Sequence, residues 1–207
     1  MAPHEPGTSR TLRAMHHRPP RVALLTVLLA VFVATCGGAA ASFDPTSPCT
    51  TDGSAPGAYP ELEAGIPTTY EGRAPDTLDS GRNCTAENLG VLADAGISEV
   101  RFAGGTWDFG GNRAAALVTF QAPGLTSDLI ADFYAASARA ANRTEVTGET
   151  TPTLAGHGTR RLDSTTGNRL QTVVSWAGSE PDTVHVVITN DLPDPKIEAA
   201  VAAFGSS

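Results

Sequence analysis

Leu170-Gln-Thr-Val-Val-Ser-Trp176 and Thr183-Val-His-Val-Val-Ile-Thr189, joined by Ala177-Gly-Ser-Glu-Pro-Asp182, are the stretch on which the fold turns. In the first run Leu170, Thr172, Val174 and Trp176 alternate with Gln171, Val173 and Ser175, the period of a half-buried strand. Residues 178–181 carry turn formers. The second run places Val184, Val186 and Ile188 on one face. Two alternating runs around a turn predict an antiparallel hairpin.

Working outward, Asp194 caps a final helix with Pro195 at its first position, where the missing N–H costs nothing. Ile197, Ala200, Val201 and Phe204 follow at i, i+3, i+4 and i+7, and Gly205 ends the helix. Upstream, residues 157–163 and 144–147 are strand candidates, with a turn at Thr165-Thr166-Gly167-Asn168. Thr126 caps a helix reaching about residue 141, whose Leu129, Ile130, Phe133 and Tyr134 form an apolar stripe. Residues 114–121 form a strand with Val118 and Phe120 on one face, broken by Pro123-Gly124. Residues 98–103 alternate, with Val100 and Phe102 opposite Glu99 and Arg101. Gly104-Gly105 and Gly110-Gly111-Asn112 read as two tight turns around a short strand at 106–109. Thr85 caps a helix over 86–95, with Gly96 in the position of a terminating glycine, and residues 60–64 suit one helical turn.

These elements predict an α+β fold, an antiparallel sheet with two or three amphipathic helices packed mainly on one face. After the first helix the order β-β-α-β-β-β-α resembles PsbP-like lipoprotein domains in outline. That resemblance is one of topology, shares no motif and carries no functional residue across. The expected organisation is an export segment or anchor at 1–41, a flexible tether at 42–58 rich in Pro, Ser, Thr, Gly and Asp, and a single domain at 59–207.

Residues 1–21 carry Arg10, Arg13, Arg18 and Arg21 against one acid, Glu5, and fourteen uncharged residues follow at 22–35. A basic start, an apolar core and then small residues form the pattern of a secretory signal. Three outcomes fit its end. Val33-Ala34-Thr35-Cys36 resembles the bacterial lipobox, which implies lipidation of Cys36, although Thr35 departs from the Gly, Ala or Ser usual before the cysteine. Ala39-Ala40-Ala41 suits cleavage to a secreted form starting near Ser42. The twenty residues 22–41 also have the length of an uncleaved span. The expected location is extracytoplasmic, with the membrane as a partner through the N-terminal anchor and an envelope protein or unidentified ligand as the other.

The whole chain has 22 acids and 14 basic residues. Setting aside residues 1–41, which hold one acid and four arginines, leaves 21 against 10, a formal charge of −11. Such a body is repelled by nucleic acid and by anionic lipid. With Cys36 lipidated or removed, Cys49 and Cys84 remain, and an even pair in an exported protein predicts a disulfide.

No cofactor or metal is expected. Leu78-Asp79-Ser80-Gly81 resembles the Asp-Ser/Thr-Gly loop of aspartic proteases, but that chemistry needs a second carboxylate loop and the chain has none, so the segment reads as a turn. Asp76, Asp79 and Asn83 lack the alternating spacing of a calcium loop. The body's two histidines, His157 and His185, lie on different strands away from any cysteine at metal spacing. The candidate binding face is polar, with Arg101, Gln121, Gln171, His185 and Thr189 opposite the apolar set and Trp107 at its rim. Three functional readings follow: a non-enzymatic binding or accessory module, a hydrolase with His185 as its base, and a structural envelope component.

Overall fold

The computed structural model describes residues 43–206; the expected export segment at 1–41, with Cys36, lies outside the described residues. In chain order the elements are β1 (Gly53–Ala55), α1 (Pro60–Glu63), β2 (Thr77–Asn83), α2 (Ala86–Leu89), α3 (Val91–Asp94), β3 (Val100–Gly110), β4 (Arg113–Gln121) and α4 (Ser127–Ala140). They continue with β5 (Thr144–Thr150), β6 (Thr153–Leu154), β7 (His157–Gly158), β8 (Arg160–Thr166), β9 (Arg169–Ala177), β10 (Thr183–Asn190) and α5 (Asp194–Ala203), and the chain closes on a 3-10 turn at Phe204–Ser206.

Eight strands form one sheet in the order β1-β2-β3-β4-β10-β9-β8-β5, every neighbouring pair antiparallel. The β9–β10 hairpin forms as expected, with His185 opposite Trp176 and Val187 opposite Val174. The fold is therefore α+β around an antiparallel sheet. No helix among the described residues is long and apolar enough to cross a membrane.

The helices are shared between both faces. Val118, Phe120, Val184 and Val186 meet Leu89, Leu92, Ile130 and Tyr134 of α2, α3 and α4 in one core. On the other face Leu117, Val174, Trp176 and Val187 meet Tyr59, Leu62 and Tyr70 from around α1, together with Ile197 and Val201 of α5. The expectation of helices mainly on one face is corrected here. The physical reason lies in runs such as Val173-Val174 and Val186-Val187-Ile188, which put apolar side chains on both sides of a strand and require both to be covered.

Local chemistry explains the helix ends. The Thr126 hydroxyl accepts from the Leu129 amide at 3.2 Å and starts α4, satisfying an amide with no partner inside the helix. Thr85 caps α2 as expected, but the predicted helix over 86–95 divides at Gly90, whose φ of +49° breaks the helical ladder.

Gly104-Gly105 is not a turn, because β3 runs straight through it. Gly105 and Trp107 share a face, and a Cβ on Gly105 would stand 2.9 Å from the indole and 3.2 Å from Pro75. The missing side chain leaves room for the ring.

The segment at 42–58, expected to be a flexible tether, is folded onto the domain from residue 43. β1 pairs with β2, and Cys49 is disulfide-bonded to Cys84. Asp52 accepts from the Cys84 amide at 2.5 Å, the Thr85 amide at 3.0 Å and the Asn88 side chain at 2.7 Å. Partial burial pushes the Asp52 carboxyl up, but these bonds and that from the Thr85 hydroxyl outweigh it and hold the group below its ordinary range. Arg82, 3 % exposed, donates to the carbonyls of Asp44, Pro45 and Pro48 and to the Ser47 hydroxyl. Composition misled because this segment is held by side-chain bonds and a disulfide rather than by a periodic apolar pattern.

Gly105→Ala is expected to cost about 1–3 kcal/mol, since the new methyl must displace the indole or Pro75. Urea denaturation checks this as a lower midpoint with an unchanged slope.

Candidate functional site

Two places gather polar or titratable side chains. The first is a groove of about 490 Å³ at the end of the sheet where β3 begins, β4 ends and β10 begins, lined by residues 96–99, 121–123 and 181–182 and by Arg101. Register sets Arg101 directly opposite Gln121. The Arg101 Nε donates to Glu99 Oε1 at 3.0 Å, and its guanidinium lies 5.2 Å from the centre of the Tyr59 ring. The Arg101 side chain remains 47 % exposed. Its hydrogen bond with Glu99 pushes the guanidinium further above its ordinary pKa, so the charge is permanent.

Asp182 closes the opposite wall. It adopts φ +59°, accepts from the Gly124 amide through Oδ1 at 3.0 Å and takes the Ala122 amide on its carbonyl at 3.1 Å. Left-handed backbone is costly away from glycine, and aspartate tolerates it through such local bonds. The residue thereby joins the turn after β4 to the turn before β10. A second, adjoining depression of about 390 Å³ shares Pro181 and Asp182 with the groove and runs toward Leu125, Ala177 and Val184.

The second place is an aromatic stack on the face covered by α5. Trp176, 2 % exposed, lies between His185 at 5.5 Å and His157 at 5.7 Å, with Phe204 packed 4.5 Å from the His185 ring. The Thr119 hydroxyl and His185 Nδ1 are 3.0 Å apart. Burial, and secondarily the neighbouring His157, push His185 down to about 4. A general base works best with a pKa near the operating pH and an orienting partner. His185 has a hydroxyl in that place, and Phe204 lies over its ring. The cluster therefore fits packing better than proton transfer.

The candidate face of the sequence does not survive as one surface. Arg101 and Gln121 come together in the groove. His185 and Thr189 share their side of the sheet but lie under α5 and the closing turn, with Thr189 only 1 % exposed. Trp107 is not at a rim: it is fully buried, its indole N–H donates to the Arg73 carbonyl at 3.0 Å, and Tyr70 meets it edge-on. Gln171 lies on the other face with Val173 and Ser175 and donates to Asn190 Oδ1 at 3.2 Å. The pairing explains this: His185 aligns with Trp176 and Asn190 with Gln171, so the face of Trp176 and Val174 is that of His185, opposite Val184, Val186 and Ile188.

The Asp79-Ser80-Gly81 segment lies within β2 rather than in a turn. Ser80 is buried and donates to Glu63 at 2.8 Å, and Asp79 accepts from Ser54 at 3.2 Å. Asp76 turns instead to Arg73 and the Asp108 amide, so the oxygen donors of the 76–83 stretch diverge. No group of three or more His, Cys, Asp or Glu among the described residues is placed to hold a metal ion.

Glu99 and Asp182 were missed by sequence reasoning as members of a site. Each stands beside a strand end, and only the β3–β4–β10 register brings them together. No model of a known protein family matches the chain, and comparison with curated proteins gives no match.

The depressed His185 pKa sets the sign of a pH effect. The unfolded chain binds a proton near pH 6.5 and the folded one only near 4, so this contribution favours folding at neutral pH and is lost as pH falls from about 6.5 to 4. The full loss is about 3 kcal/mol. His185→Gln is expected to flatten that part of the stability–pH curve, read from urea midpoints at pH 7, 5.5 and 4.

Proposed function

We propose that the chain is an exported, lipid-anchored envelope protein whose single α+β domain acts as a non-enzymatic binding or accessory module. The observation that carries this reading is the Cys49–Cys84 disulfide, which closes the arm that follows the hydrophobic export segment. Such bonds belong to oxidising compartments outside the cytoplasm. Binding is the favoured activity because the open polar groove at Arg101 and Gln121 is built on rigid strand ends, while His185 is engaged in packing. The sheet is covered on both faces, so recognition falls to the strand ends and loops.

The arm changes how such an anchor works. Six residues separate Cys36 from Phe43, so the two lie seven Cα steps apart, a length that reaches at most about 24 Å. A lipidated Cys36 holds the domain close to the bilayer rather than on a long leash, and the negative charge of the body keeps it from lying flat on anionic lipid.

Intact mass spectrometry of the protein from the native membrane fraction tests the reading. The expected species begins at Cys36, carries added acyl chains and loses the internal disulfide only on reduction. A species beginning near Ser42, recovered from the medium, would replace the anchored module with a diffusible one. A full-length species from residue 1 would establish an uncleaved span instead.

A further inference from the structure

We infer that the groove at the β3–β4–β10 end of the sheet binds a short zwitterionic peptide, its carboxylate on Arg101 and Gln121 and its ammonium group on Asp182. The inference rests on the binding-module reading and names the ligand of that site. Arg101 is oriented before any ligand arrives: Glu99 holds Nε, and the Tyr59 ring lies against the guanidinium. Glu99 accepts from Nε, so that bond leaves the two Nη groups as donors, and their fork matches a carboxylate geometrically. Gln121, directly across the ladder, supplies an amide N–H₂ beside it.

Charge decides the class of ligand. The groove is lined by one cation, Arg101, and two acids, Glu99 and Asp182. Glu99 is occupied by Arg101, whereas Asp182 uses only Oδ1, on the Gly124 amide. A simple anion such as phosphate meets Asp182 and the charge of the whole body, and a simple cation meets Arg101. A molecule bearing both charges is opposed by neither. Pro123 and Pro181 add apolar walls without amide donors, and the adjoining depression beyond Asp182 gives room for a few residues of peptide. Volumes of this order accommodate small molecules and short peptides. Because the groove is open, affinity on the order of millimolar is expected.

The test uses the full-length protein in detergent, labelled with nitrogen-15 and titrated with trialanine, trialanine amide and N-acetyl-trialanine. Trialanine is expected to give saturable shifts at residues 96–101, 121–124 and 178–183, and each capped analogue to bind about tenfold more weakly. Arg101→Gln is expected to abolish the preference for the free carboxylate. Asp182→Asn keeps an oxygen acceptor for Gly124 and is expected to abolish the preference for the free amine. The inference is overturned if trialanine gives no saturable shift in the groove up to about 10 mM, or if the capped analogues shift the groove equally. Saturable binding confined to another surface would overturn this site while leaving a binding module standing, and the membrane-fraction mass reports on the anchor independently of either result.

Discussion

The central strands β4 and β10 must be buried on both sides, and the rest of the structure follows from that requirement. Leu117, Val118, Val184, Val186 and Val187 are each no more than 1 % exposed, yet they point to opposite faces. Burying one such side chain contributes about 1.5–3 kcal/mol, so leaving either face open would forfeit several of these contributions together. Two helical layers are the consequence. α4, with the short α2 and α3, forms one cover, and α5 with the α1 segment forms the other. Several polar groups trapped between the layers are bonded, Thr119 to His185, Thr172 to Asp163 and Ser175 to the Ser127 carbonyl, whereas the buried Tyr59 hydroxyl has no hydrogen-bond partner among the described residues. Pairing keeps the burial of the bonded groups inexpensive.

Arg82 shows the same constraint at the edge of the sheet. A buried guanidinium without partners would be strongly destabilising. Here the arm meets it, through three carbonyls and a hydroxyl that accept from the Nη groups, with the Phe43 ring 5.6 Å from the guanidinium. The Asp44 carboxylate is near enough to feel its charge, while Nε has no hydrogen-bond partner among the described residues. The disulfide lies two residues beyond Arg82 in the chain. Covalent closure and hydrogen bonds from Arg82 to the arm's carbonyls thus act on one short segment, which is why the arm belongs to the domain despite its loop-like composition.

Much of the fold was legible from periodicity and punctuation. The β9–β10 hairpin, α4 with its Thr126 cap, and Ile197, Ala200 and Val201 of α5 stand where the residues place them, although α5 is capped at Pro193 rather than Asp194 and Phe204 falls in the closing 3-10 turn. What was not legible was register and coverage. Alternation in 170–176 suggested one apolar set, whereas Val173 and Val174 are both core and Gln171 and His185 face opposite ways. Adjacent valines carried the signal for double burial, and a reading that assumed one wet face could not use it. Gly104-Gly105 failed for a different reason. Glycine marks both turns and close approaches, and only the position of Trp107 two residues on decides between them. Of the groove, Arg101 and Gln121 could be named from sequence, but Glu99 and Asp182 join them through strand pairing alone.

The arm and the groove are mechanically continuous. Phe43 meets Tyr59 edge-on at 6.5 Å, and Tyr59 carries Arg101 on its ring. The Tyr59 amide donates to the Ser80 hydroxyl at 2.7 Å, and Ser80 donates to the Glu63 carboxylate, which also accepts the Gly57 amide at 2.7 Å. Each member of this chain fixes the next, so the position of Arg101 depends on residues that the sequence presented as a tether. An arm that orients the cation of the groove links two distant parts of the chain: the segment that begins at residue 43 also shapes the surface around Arg101. That link requires no moving part, because it runs through ring contacts and hydrogen bonds of a folded arm and a strand end.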